Sequence, residues 1–284
     1  MLTEDRSCAA ICSLSAQRSN YLKKEILNPE EEKNRFIESL QLPVVLILIM
    51  LVIHILRQPF IKEYLDLGFI YWGIFPRKFY GLKGILAAPL IHGSWKHLFS
   101  NAVPFLSLLG VSMYFYRIVA VRGLVMIWIL TGGAVWLLGN FFDNEVGNFS
   151  HIGASGVVYG LVAFVFWNGV FVKSRESIVL ALAVLVLYGG MFAGILPDQP
   201  GISWESHLFG GLIGIFTAYF YKNDLLEEVE RLKKLEEPRT WGEEFEAQDG
   251  TGPYFLPRDI FEKTKEERRR EEQMGRDNYY DDIS

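Results

Sequence analysis

Gly153-Ala154-Ser155-Gly156-Val157-Val158-Tyr159-Gly160 opens a hydrophobic segment with three glycines and a single serine. Glycines remove side chains where another helix or a substrate backbone must come close, and Gly156-xxx-Gly160 has the spacing of tight packing between membrane helices. Serine is itself enriched at such contacts, so the segment alone leaves Ser155 open between a packing residue and a nucleophile. Residues elsewhere in the chain decide between the two.

The 284 residues are 50% hydrophobic and 14% aromatic, and the mean hydropathy is positive. Such a chain is too apolar for an ordinary soluble domain and reads as a multi-span membrane protein. The formal net charge of -5 gives no basis for a nucleic-acid partner. Both cysteines, Cys8 and Cys12, fall in the polar N-terminal arm, so no disulfide framework ties the body together; reduced thiols are expected. Residues 1–40 mix six Lys or Arg with seven Asp or Glu, and no apolar run follows a basic cluster closely. Neither a cleavable signal peptide nor a transit peptide is expected there.

Apolar segments follow at 39–56, 95–116, 118–140, 155–172, 178–196 and 206–221. Each approaches the roughly 20 residues that a bilayer span requires, which predicts six transmembrane helices. Arg117 and Arg122 flank the second connection and Lys173 and Arg175 lie in the fourth, whereas the third (141–154) and fifth (197–205) contain no Lys or Arg. The positive-inside rule then places both termini in the cytoplasm. The first connection, 57–94, departs from the pattern with five basic residues, but it also carries Tyr64, Phe69, Tyr71, Trp72, Phe75, Phe79 and Tyr80. That many aromatics predicts a loop half sunk in the membrane interface. Beyond Tyr221 the chain turns to charge, with solvated helices expected over 224–237 and 262–274 and a turn at 249–253. The expected division is an N-terminal arm 1–40, a helical domain 41–222 and a charged tail 223–284.

Polar groups inside spans are costly and therefore mark function. At ~1.5 Å per residue, counting outward from Lys173 puts Ser155 about 27 Å up a membrane ~30 Å thick, and counting from Lys222 puts His207 about 22 Å up. From Arg117, His97 lies about 30 Å and Asn101 about 24 Å up, on one helix face by their i, i+4 spacing. Three helices thus bring polar groups to one depth near the outer surface. The chemistry suggested is acyl transfer, because a serine hydroxyl needs a base to take its proton and His207 is the best-placed one. His97, Asn101 and the Ser155 backbone N–H at a helix start are suited to stabilise the oxyanion that develops.

The segments His97-Leu98-Phe99-Ser100-Asn101, Gly153-Ala154-Ser155-Gly156 with Tyr159 four residues past the serine, and His207-Leu208-Phe209-Gly210 with Gly214 beyond resemble the rhomboid intramembrane serine proteases. Order, spacing and helix placement agree over residues 42–221. The resemblance implies an all-α, polytopic membrane protein with a six-transmembrane-helix rhomboid-like bundle. It implies Ser155 as nucleophile, His207 as general base, His97 and Asn101 as oxyanion donors, and Tyr159 packed on the His207 ring, with no acidic third partner. It implies cleavage of single-pass transmembrane proteins near the outer face of a bacterial cell membrane, with the bilayer and those substrates as partners and no cofactor. Helix five, with Gly189, Gly190 and Gly194, and the 197–204 loop would then form the gate and lid.

One departure from the family pattern stands in the first loop, where a Trp-any-Arg motif is common. Here Trp72 is followed by Gly73-Ile74-Phe75-Pro76-Arg77, which puts that loop's usual packing in question. Among the other polar residues, His92 is expected to hydrogen-bond at a helix entry, His151 to be solvated, His54 to be interfacial and Glu205 to point away from His207. No His-Glu-x-x-His occurs, so no metal is expected. Asn148-Phe149-Ser150 is a formal glycosylation sequon, expected to be unused so close to the membrane. The competing reading is a non-catalytic rhomboid-like pseudoprotease that binds or escorts membrane clients; such proteins lose the serine or the histidine, and both are present here. A channel or transporter is disfavoured because no charged groups line the spans and no inverted repeat is visible. Substrate identity and oligomeric state are not encoded in any of these motifs.

Overall fold

The computed structural model describes residues 29–58, 68–140, 150–196 and 203–236, together with Arg269. Cys8 and Cys12, Tyr64, Asn148 and Phe149 of the sequon, loop residues 197–202, the 249–253 turn and the 262–274 segment apart from Arg269 lie outside the described residues. The chain divides into two units, residues 1–229 and 230–284, and the apolar helices all belong to the first.

Helix α1 (Pro29–Leu56) starts ten residues ahead of its apolar stretch, with Glu30, Glu31 and Glu32 in the first turn. Acidic side chains there complement the positive end of the helix dipole, which lets the helix extend beyond the apolar run. Helix α2 (Trp95–Phe115) is capped by Ser94, whose hydroxyl accepts the His97 N–H at 3.1 Å. Helix α3 (Arg117–Leu138) follows after Tyr116, and α4 (Ser155–Val172) coincides with its expected span. Helix α5 (Arg175–Tyr188) is capped by Ser174 and continues as a 3-10 turn, Gly189–Ile195. Helix α6 (Trp204–Phe220) precedes the charged α7 (Lys222–Glu236).

Among the described residues five stretches are long and apolar enough to cross a membrane: Pro29–Leu56, Trp95–Phe115, Arg117–Leu138, Ser155–Val172 and Arg175–Ile195. The sixth, Trp204–Phe220, has 17 residues, which at ~1.5 Å per residue puts it at the short end of what a bilayer requires. The protein is an all-helical, multi-pass membrane protein.

Helix α4 is the centre of the bundle, packing against α2, α3, α5 and α6. In its most apolar window 61% of residues are buried, against 17% for Arg175–Ile195, which places α5 and its 3-10 turn at the periphery. The closest pairing is α4 with α6, and glycines make it: a Cβ on Gly210 would collide with the Gly156 carbonyl, and one on Gly214 with the Gly160 carbonyl. Backbones approach this closely in membranes because small residues permit the dispersion contacts that replace the hydrophobic driving force.

The described part of the first connection is a chain of short turns, Phe69–Trp72, Phe79–Gly81, Gly84–Ala87 and Ala88–Leu90. Tyr71, Trp72, Phe79 and Tyr80 are exposed, as suits an interfacial loop. Arg77 anchors it without the Trp-any-Arg spacing. Its Nη1 donates to the Gly139 carbonyl at 2.8 Å and its backbone N–H to the Trp136 carbonyl at 2.8 Å. In return Trp136 Nε1 donates to the Lys78 carbonyl at 2.9 Å. A cation at the end of α3 satisfies carbonyls that have no intrahelical donor.

Candidate active site

Three backbone features deliver Ser155 to the start of α4. Ile74 and His151 exchange both backbone hydrogen bonds at 2.9 Å, Gly153 N–H donates to the Ala88 carbonyl at 2.9 Å, and Ala154 N–H donates to Nε2 of His92 at 3.4 Å. Gly153 has φ +107°, a conformation that side chains rarely adopt. The fully buried His92 therefore does more than mark a helix entry. Burial above all, then the nearby His97 and His54, push its pKa down to about 3. The ring stays neutral, which is the state in which Nε2 accepts from Ala154. Its carbonyl in turn receives Arg57 Nη1 at 2.6 Å and the Nδ1–H of His54 at 3.1 Å. Ala154 supplies no side-chain cap to α4, so the amide donors of its first turn are not taken up by a capping side chain.

His97 approaches from α2. A Cβ on Gly153 would lie 2.6 Å from His97 Nε2, so the ring rests against that glycine, two residues before Ser155. Asn101 is buried one turn further along α2 and donates Nδ2–H to the His97 carbonyl at 2.9 Å. An amide NH2 has two hydrogens, so one is left beyond that bond.

His207 approaches from α6, brought in by the glycine crossing with α4. Its ring is buried and lies flat on Tyr159, with centroids 4.1 Å apart and planes 8° apart. Tyr159 is one turn along α4 from Ser155, and its hydroxyl donates to the Met191 carbonyl at 2.6 Å. Nδ1 of His207 stands 2.8 Å from the Gly194 carbonyl; a carbonyl only accepts, so Nδ1 carries the proton and Nε2 the lone pair. The structure thus brings His207 onto Tyr159, one turn along α4 from Ser155, and His97 with its partner Asn101 against Gly153, while Ser155 is half-buried and makes no hydrogen bond to His207 among the described residues.

Behind this turn lies a cavity of about 30 Å³ bounded by Thr131, Gly153, Gly156 and Ser206 among others. Among the described residues the buried Thr131 hydroxyl meets no hydrogen-bond partner. The same region corrects the expectation for His151 and adds burial to those for Glu205 and His54. His151 is buried rather than solvated, with Nε2 2.9 Å from Asn140 Oδ1 and Nδ1 2.5 Å from Ser203 Oγ. Glu205 does turn away from His207, but inward: it is buried and accepts the Asn140 N–H at 2.9 Å. His54 is buried against Trp95, with ring centroids 4.5 Å apart. A histidine in a loop reads as solvated because sequence does not show which distant polar groups converge on it; the carbonyls of Met191 and Gly194 are invisible for the same reason. Among the described residues no group of three or more His, Cys, Asp or Glu could hold a metal ion.

Comparison with known proteins gives two findings. The Rhomboid domain family model matches residues 80–223. An uncharacterized protein of Mycobacterium tuberculosis and one of Mycobacterium bovis are each 40% identical over 156 residues, 52% of this chain and 62% of the relative. One from Mycobacterium leprae is 36% identical over 147 residues, 49% of this chain and 55% of the relative. The chain therefore spans less than two thirds of the length of these relatives.

Proposed function

The chain belongs to the rhomboid family, and on that premise we propose that it is an intramembrane serine endopeptidase cleaving single-pass transmembrane proteins near the outer membrane face. The catalytic domain is residues 41–222, set in a bacterial cell membrane between an N-terminal arm and a charged tail that are both cytoplasmic. The observation that carries this reading is the His207 ring held flat on Tyr159 at 4.1 Å, one helical turn from Ser155. Stacking on Tyr159 holds the ring of the proposed base one helical turn from a serine whose hydroxyl is unreactive without one.

In this mechanism Ser155 Oγ attacks the scissile carbonyl carbon as His207 Nε2 takes the hydroxyl proton. The new C–O bond pushes the carbonyl electron pair onto oxygen, where the His97 side chain, the Asn101 amide and the Ser155 N–H donate hydrogen bonds. Collapse of the intermediate expels the amine, which receives the proton from His207. Water, deprotonated in turn by His207, hydrolyses the acyl ester and restores Ser155. Substrate helices that unwind readily are favoured, since the enzyme must reach carbonyls that an intact helix keeps hydrogen-bonded.

A fluorophosphonate probe tests the reading in detergent. The full chain should be labelled covalently at Ser155, Ser155→Ala should take no label, and His207→Ala should slow labelling by on the order of 100- to 10,000-fold. Unchanged labelling in His207→Ala would remove the dyad. A folded wild type that takes no label and cleaves no co-expressed single-span protein would favour a client-escorting pseudoprotease instead.

A further inference from the structure

The 3-10 turn Gly189–Ile195 sits at the least buried edge of the bundle, and a Cβ on Gly189 or Gly190 would meet nothing within 4 Å. Its seat on the body is made at two points. Met191 receives the Tyr159 hydroxyl at 2.6 Å and Gly194 receives His207 Nδ1–H at 2.8 Å. Residues three apart lie on one line of a 3-10 helix, so both carbonyls serve the same side. The last carbonyls of a helix lack an intrahelical donor, which leaves Gly194 free to take a side-chain proton. Glycine is required at 194 for space: a Cβ there would collide with the Tyr159 hydroxyl and lie 3.2 Å from His207 Nδ1.

We propose that Gly194 is a positioning residue, whose carbonyl holds His207 in the Nδ1–H tautomer with Nε2 turned to Ser155. The seating of the turn Gly189–Ile195 then decides whether the base is competent. A neutral imidazole has one donor and one acceptor, and the partner of one nitrogen sets the role of the other. In hydrolases with a Ser-His-Asp triad a carboxylate does this work, and loss of the correct tautomer is severe even where geometry is kept. Here a backbone carbonyl performs it. Because that carbonyl belongs to the peripheral end of α5 rather than to α4 or α6, displacement of α5 releases the tautomer and uncouples the dyad without moving Ser155. The inference rests on the protease reading and adds to it a regulation of the same base.

The full chain in detergent micelles provides the test, with two readouts. In 15N-histidine NMR, with the His207 resonance assigned by its loss in His207→Ala, the wild type should show the Nδ1–H tautomer. In fluorophosphonate labelling, Gly194→Ala should react roughly 10- to 100-fold more slowly, the range for losing a partner that fixes a histidine's orientation. Gly190→Ala, on the same turn but with open space for its methyl, should stay within about twofold of wild type. The inference is overturned if His207 is the Nε2–H tautomer in the wild type, if Gly194→Ala labels at the wild-type rate, or if Gly190→Ala slows as much as Gly194→Ala. Should Gly194→Ala fail to fold, the tautomer of the wild type decides. A wild type that takes no label overturns the protease reading instead, so the two failures are distinguishable.

Discussion

Asn101 tests the proposed oxyanion site at the level of a single side chain. One amide hydrogen is committed to the His97 carbonyl at 2.9 Å, and that bond holds the group at the end of α2 where His97 meets Gly153. Removing an oxyanion donor typically costs on the order of 3 kcal/mol of transition-state stabilisation, or ~100-fold in rate. Asn101→Ala should therefore slow fluorophosphonate labelling and substrate cleavage about that much, with a smaller loss than Ser155→Ala. Turnover at the wild-type rate would take Asn101 out of the site and leave His97 and the Ser155 N–H as donors. How far a residue was legible depended on whether its partner is also a motif. Tyr159 and Ser155 are four apart on one helix, so their relation to His207 follows once the helices pair. His92 could be read only as a helix-entry residue, because its acceptor role toward Ala154 requires the loop to fold back on it. His151 and Glu205 find Asn140 and Ser203 across gaps in sequence that no local pattern spans.

Among the elements, the α4 and α6 pair would carry the proposed catalytic geometry, and its glycines make a sharp comparison. A Cβ on Gly210 would strike the Gly156 carbonyl, whereas one on Gly211 would meet nothing within 4 Å. Overpacking a close helix crossing costs ~1–3 kcal/mol, while Gly→Ala at an open helical position gains up to ~1 kcal/mol. Gly210→Ala should melt lower in detergent and lose labelling as α6 carries His207 away from Tyr159. Gly211→Ala should melt at or above the wild type with labelling retained. Equal melting of the two variants would show that the crossing is not the constraint on this pair. The Gly156-xxx-Gly160 stripe announced a close contact in the sequence, and Gly210 with Gly214 repeats the spacing on the partner. Helix ends were less legible. The acidic first turn of α1 carries that helix well past its apolar run, and the glycine pair after Tyr188 converts the end of α5 to a 3-10 turn; both ends are set by local backbone satisfaction rather than hydropathy.

Across the whole molecule, ion pairs and helix pairings assign residues to one end or the other. Arg117 Nη2 is 2.8 Å from Glu38 of α1, and Arg122 Nη2 is 2.8 Å from Asp224 just past α6. The start of α3, the early part of α1 and the exit of α6 therefore share an end. Helices α4 and α6 run parallel, since Gly156 meets Gly210 and Gly160 meets Gly214 in the same order, which puts Lys173 and Lys222 at that end as well. The site occupies the opposite end, at the start of α4. Two of the five basic residues in the first connection, which broke the charge pattern in the sequence, have local partners there: Arg77 donates to the Gly139 carbonyl and Lys83 Nζ lies 5.3 Å over the Trp72 ring. The end bearing Arg117, Arg122, Lys173, Arg175 and Lys222 is the one that the proposal sets in the cytoplasm, as the positive-inside rule expects. Reporters fused after Ser174 and after Asp224 should both read cytoplasmic, and one inserted within 141–149 should read external. Opposite sides for Ser174 and Asp224 would mean that α4 and α6 do not enter the membrane from the same face. Ser155 and His207 could not then share a depth, and the proposed dyad would have no common surface on which to act.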